Sequence, residues 1–341
     1  MSQFQLGLGV LGVMVLVGMV AYYIWLTRRL RPRQAAPSVG QMLGDAQEPT
    51  LQEPTFDADE FVLPVPERKP GLDALIDVIA PIALDAPASG DAVLAAMPPT
   101  RRVGSKPFAV EGLNATTHLW EAAVAGQRYS QLQAGLQLAN RAGALNDIEF
   151  SEFVVKAQAF CDAVGGTPDF PDMRQEVNRA RELDQFAHDH DAQLTVVLRA
   201  RRTAWSPTYV QQMLTRQGFV PGAMVGRMVL PASTVGAAPV LSVSFDSQAA
   251  LAEDMTQSAL REFVLSLDVA QVDRTEAPFA RMREVASLLA QEMDALLTDD
   301  NGVALPNEAL DVIAAELEHL NDTLDQRELS AGSVLARRLF S

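Results

Sequence analysis

Side chains able to ligate or react are few in this chain. The four histidines are His118, His188, His190 and His319. His188-Asp189-His190-Asp191 puts two imidazoles and two carboxylates into four residues, ligand types that suit a divalent metal. The cluster falls at a join between two repeating segments and reads as a solvated boundary. Asp299-Asp300-Asn301-Gly302 hints at a calcium loop but lacks the further oxygen ligands and closing glutamate of an EF-hand, so a turn is expected. Gly7-Leu8-Gly9-Val10-Leu11-Gly12 matches a dinucleotide-binding spacing. It lies in an apolar run without the strand and helix that chemistry requires, and small residues for helix packing in a bilayer account for it better. Cys161, the single cysteine, rules out an intramolecular disulfide and sits on an apolar helical stripe, as a buried small hydrophobe would. No nucleophile–base pair and no phosphate-cradling loop is present in the pattern. The expectation is no catalytic residue, no metal site, no cofactor and no small-molecule substrate.

The elements around these residues suggest machinery at a membrane. Phe4 to Leu26 is uncharged and long enough for a transmembrane helix; no Lys or Arg precedes it, and Arg28, Arg29, Arg31 and Arg33 follow. The positive-inside rule puts the N-terminus outside and everything downstream in the cytoplasm. A signal peptide fits poorly, for want of a basic start and a small-residue cleavage site. Residues 27–70 read as a basic juxtamembrane stretch followed by a Pro-rich acidic linker, with Phe61-Val62-Leu63 as an apolar island. The 341 residues carry a net charge of -16, which argues against nucleic acid because no basic stripe is available to neutralise phosphates.

From residue 71 the chain reads as globular and repeats itself. Phe150, Phe153, Ala157, Phe160 and Val164 share their spacing with Phe279, Met282, Ala286, Leu289 and Met293, one helical face each. Alternating strands precede the two stripes: Leu132, Ala134, Leu136 and Leu138 in one, Phe263, Leu265, Leu267 and Val269 in the other. A polar turn, a proline (Pro171, Pro306) and a second helix follow each. Upstream, Ile76–Ile79 and Leu194–Val197 read as strands leading to the helix caps Ser89 and Ser206. The parse is strand–helix–strand–strand–strand–helix–helix, twice, over 71–190 and 191–325, with 326–341 as a short helix or tail containing Arg337 and Arg338. The fold class expected is α+β: two tandem split β-α-β-like domains, each an antiparallel sheet with helices on one face, after an N-terminal transmembrane helix.

This plan resembles the ZipA family, which ties the bacterial division protein FtsZ to the membrane. The residues carrying the resemblance are Ile24-Trp25-Leu26-Thr27-Arg28-Arg29 at the anchor boundary and, in order, Gly218-Phe219, Leu241-Ser242-Val243, the Phe279–Met293 helix, Asp299-Asp300 and Pro306. It is best over the anchor and 191–325; the copy at 71–190 departs from the family's single-domain plan. The resemblance implies a single-pass protein of the bacterial inner membrane at the division septum, its N-terminus periplasmic and its domains cytoplasmic, whose helix-free sheet face binds the C-terminal peptide of FtsZ.

Strand alternation assigns Leu194, Val196, Leu198, Leu241, Val243, Leu265 and Leu267 to the helix-covered side of the second copy. The peptide-binding residues expected on the other side are Thr195, Val197, Val240, Ser242, Val264 and Ser266, joined by Met224 and Met228 from a strand of unfixed register. In the first copy the corresponding face shows Gln131, Gln133, Gly135 and Gln137 and is more polar. The runner-up is a membrane-tethered scaffold of the same fold that binds another envelope or division protein. A third reading, a small-molecule sensor, needs a pocket of convergent polar groups that the sequence does not reveal.

Overall fold

The computed structural model describes residues 71–246 and 259–341. The expected span 4–26, the linker 27–70 and the glycine motif lie outside the described residues. Among the described residues no helix is long and apolar enough to cross a membrane. They divide into two bodies, 71–192 together with 319–341, and 193–318. The segment 326–341, expected as a separate tail, is part of the first body.

The first body runs β1 (Asp77–Leu84), α1 (Gly90–Ala96), β2 (Lys106–Asn114), β3 (Trp120–Ala122), β4 (Arg128–Gln137), α2 (Asp147–Val164), β5 (Gly166–Pro168) and α3 (Met173–His190). Its sheet has the order β2-β4-β1-β5, all antiparallel, with β3 paired to β2. The second body runs β6 (Gln193–Ala200), α4 (Pro207–Arg216), β7 (Val220–Pro221), β8 (Arg227–Leu230), β9 (Leu241–Ser244), β10 (Glu262–Asp268), α5 (Pro278–Met293), β11 (Ala295–Thr298) and the start of α6 (Asn307–Gln326). Its sheet order is β7-β8-β9-β10-β6-β11, again antiparallel. The end of α6 and α7 (Val334–Leu339) return to the first body.

The two sheets share an arrangement of three strands. In both, the strand before the long helix pairs with the first strand, and the short strand after that helix takes the first strand's other edge: β4-β1-β5 and β10-β6-β11. Between each stripe and its proline, where only a polar turn is expected, the chain therefore forms an edge strand, Gly166–Pro168 and Ala295–Thr298. Both follow a helix closed by a left-handed residue, Gly165 (φ 68°) and Asp294 (φ 55°), which reverses the chain at once onto the sheet.

Local chemistry explains the helix starts. Ser89 Oγ accepts from Ala92 N and Ser206 Oγ from Tyr209 N, 3.2 Å each, and Pro207 opens α4 where an N–H would have no helical partner. Asn146 and Glu149 form a reciprocal capping box at α2. The expected stripes face the sheets: Phe150, Phe153, Ala157 and Phe160 are buried in one body, Met282, Ala286, Leu289 and Met293 in the other. Against them lie Leu132, Ala134 and Leu136, and Phe263, Leu265 and Leu267, all buried. Trp205, just before the α4 cap, is fully buried, with Nε1 donating to Met293 O at 3.0 Å and its ring 5.6 Å from Phe263.

Candidate functional site

In the second body the pairing fixes what the helix-free face displays. One cross-strand row is Val229–Ser242–Ser266–Thr195; the next is Arg227–Ser244–Val264–Val197–Thr298. Residues on one face of paired strands stand side by side, so these rows form a single surface. Of the expected peptide-binding residues, the structure brings together Thr195, Val197, Ser242, Val264 and Ser266. Ser242, Val264 and Ser266 are half-buried.

Three expectations are corrected. Met228 pairs with Val243, so it points to the helix side and is 3% exposed. The alternate residues Arg227 and Val229 take its place in the rows. Met224 lies outside any strand, in the Gly222–Gly226 turn between β7 and β8, and is 58% exposed there. Val240 lies just before β9, bonded through its N–H to Leu230 O at 2.8 Å, and is fully buried. A buried valine has no surface to offer a peptide.

The face is also narrower than the strands alone imply. After β11 the chain turns back over it. Thr195 Oγ1 donates to the Asp300 carboxylate at 2.8–2.9 Å, and Gly302, at φ 84°, lies so close to the Arg199 guanidinium that a Cβ there would overlap it. Gly302 N donates to Asp299 O and Val303 N to Asp299 Oδ1, which closes the Asp299–Gly302 turn. Thr298 bridges to Ala304. Val197 and Thr298 are consequently buried, at 4% and 0%. With the 299–304 strap in place, Arg227 is exposed and Thr195, Val229, Ser242, Ser244, Val264 and Ser266 are half-buried.

The first body treats its corresponding face differently. Gln131 is exposed, Gln133 donates to Glu111 Oε2 at 2.9 Å, and Gly135 and Gln137 are buried. Leu72 lies on Gly135, where any Cβ would overlap it. At the Asp77–Gln137 end, Arg338 closes the face. Its Nη2 donates to Asp77 Oδ1 at 2.5 Å and its Nη1 to Gly71 O at 2.8 Å; Arg338 O accepts from Gln137 Nε2 at 2.8 Å. Asp77 is 0% exposed, and burial holds its carboxyl above the usual value although Arg338 pulls it down.

A buried polar cluster lies nearby. Lys106 Nζ donates to Ser105 Oγ, Asn140 Oδ1 and Gly143 O, at 2.9, 2.9 and 2.5 Å. Burial lowers its pKa, opposed by Glu149. The cluster ties the 139–144 hairpin to β2. On the helical layer, Met97, Pro98, Pro99, Ile148, Val155 and Phe160 line an open apolar groove of about 740 Å³.

The clusters first singled out do structural work. Asp191 forms a bidentate pair with Arg141, at 2.6 and 2.8 Å. The His190 ring stacks on Phe186 at 4.2 Å, and the Arg327 guanidinium lies 4.8 Å from the same ring centre. Among the described residues no group of three His, Cys, Asp or Glu is placed to hold a metal. Cys161 is fully buried, and burial, aided by Asp162, pushes its thiol up to about 11.

No protein-family model and no curated protein matches the chain. Among solved structures, the berberine bridge enzyme of Eschscholzia californica is similar to it at 10% identity and a TM-score of 0.16, over 78% of this chain and 54% of that one. The chain thus spans about half the length of that enzyme, and a likeness of this size carries no argument about fold or activity.

Proposed function

We propose that this chain is a membrane-anchored adaptor of the ZipA type. In this reading Phe4–Leu26 spans the bacterial inner membrane once with its N-terminus in the periplasm. Residues 27–70 form the tether, and the two tandem domains are split β-α-β-like folds in the cytoplasm at the division septum. The second domain binds the C-terminal peptide of FtsZ, and no catalysis, nucleic acid or small-molecule substrate is involved. The observation that carries the reading is the helix-free face of the second sheet, where Val229 and Val264 flank Ser242, Ser244 and Ser266 in two continuous rows. Such a face suits an extended peptide whose apolar side chains sit beside the valines while its polar groups meet the serines. Tethering turns many modest contacts along a polymer into firm attachment through effective concentration.

The test is a titration of fragment 71–341 with a fluorescent FtsZ C-terminal peptide, with Val264→Asp as the control. The fragment must include 71–192, because 319–341 belongs to that body. Saturable binding in the range of roughly micromolar, weakened at least tenfold by the substitution, is the expected result. The polar character of the Ser242–Ser266–Thr195 row favours a second reading, a tethered scaffold of the same fold for a different envelope or division protein. That reading predicts no saturable uptake of the FtsZ peptide.

A further inference from the structure

Within the first body, the segment 328–341 lies against residues 71–192 as a ligand lies against a receptor. Leu329, Ala336, Leu339 and Phe340 are all buried within 1% of fully. Leu339 and Phe340 border a pocket whose other walls are the 139–144 hairpin and, on α3, Asp184 and Ala187. Between these apolar anchors stand two arginines, Arg337 and Arg338, and the second is engaged by the Asp77 carboxylate and by Gly71 O. Main-chain bonds fix the segment's course: Gln137 Nε2 donates to Arg338 O, and Arg141 N to Ser341 O. The segment departs from α6 through an exposed turn, Arg327–Glu328, with Glu328 in the left-handed region at φ 59°. A second left-handed residue, Gly332, precedes α7. A run of apolar anchors about an arginine paired with a buried carboxylate, hung on a turn, is the form of a docked peptide.

We infer that the Asp77–Gln137 end of the first domain is a peptide-binding site whose resident occupant is this chain's own segment 328–341. The ligand class it takes is a peptide with an arginine followed at once by two apolar residues, here Arg338-Leu339-Phe340. While the segment is docked the site is closed to other peptides, so the first domain is not a second copy of whatever site the second domain carries. This inference stands on the first body alone and does not depend on FtsZ.

The experiment uses the full chain with a protease recognition sequence inserted between Arg327 and Glu328. After cleavage, a fluorescent synthetic peptide of residues 328–341 is added, and its anisotropy is followed against the uncut chain. The expected result is saturable uptake by the cut chain, little by the uncut chain, and displacement by unlabelled peptide. A competitor carrying Arg338→Glu displaces at least tenfold less well, and one carrying Leu339→Ala with Phe340→Ala does likewise. Because the substitutions are in the peptide, the folding of the domain is not at issue. Equal uptake by cut and uncut chain, no exchange after cutting, or undiminished competition by the Arg338→Glu peptide would each overturn the assignment.

Discussion

Arg338 pairs with Asp77, 261 positions away in the chain, and the carboxylate it meets is wholly shielded from water. Removing one member of such a pair leaves the other charge buried without compensation, which costs far more than a surface ion pair is worth.

Arg338→Met should destabilise the first domain by about 3 kcal/mol near neutral pH, read as the urea midpoint of that domain's transition. The pH dependence has a definite sign. Burial raises the Asp77 pKa in the folded state, so the folded protein holds its proton longer than the unfolded chain, and stability falls as pH climbs past the ordinary carboxylate range. Arg338 opposes that rise, so without it the fall steepens. The difference between wild type and variant should be larger at pH 7 than at pH 4. A difference of equal size at both pH values would mean the ion pair is not the cause.

Gly135→Ala should cost about 1–2 kcal/mol, because the new methyl group meets Leu72 lying on the sheet. The obstacle is the tip of a side chain, so Leu72→Ala combined with Gly135→Ala should lose less than the sum of the single variants. Thermodynamic additivity in that cycle would show that the two residues do not touch.

Lys106→Met removes a buried ammonium from three acceptors and leaves Asn140 Oδ1 and Gly143 O without it. The expected loss is about 2–4 kcal/mol, with faster amide exchange across the 139–144 hairpin. Exchange unchanged at Arg141 to Gly143 would show that the lysine does not hold the hairpin.

Asp294→Gly should stabilise the second domain by about 0.5–1 kcal/mol, since Asp294 sits at φ 55° where Gly165 stands in the first domain. Thermal unfolding of the variant is the measurement; a lower midpoint would contradict it.

Asp300→Ala should free Thr195 and loosen the 299–304 strap. If the helix-free face binds a peptide, the variant should bind it about two- to fivefold more tightly, because more of the rows become accessible. Titration of the variant beside the wild type decides the point.

Much of the fold is legible in the sequence because it is written in local periodicity. The stripe through Phe150, Phe153, Ala157 and Phe160 is buried as its spacing predicts, and Ser206-Pro207 caps and opens a helix as those residue types predict. Met228 shows where such reading ends. Its strand has four residues and follows a turn, so the turn's length, rather than any alternation in the strand, decides which face the methionine takes. The strap over Thr195 and Val197 is a tertiary event with no pattern in Asp299–Gly302 beyond a turn. The edge strands 166–168 and 295–298 are too short to show a period. Arg338 gives no local sign of a partner 261 residues away.

That separation also orders events on the ribosome. The first domain leaves the exit tunnel early, yet its Asp77–Gln137 end must wait for every residue up to 338 to be made, roughly 10–50 s at about 5–20 residues per second. During that interval Arg338 does not exist, so Asp77 lacks the cation that it meets in the finished chain. Nascent first domains on neighbouring ribosomes of one message therefore share a time when another chain's completed segment can reach the site before their own exists.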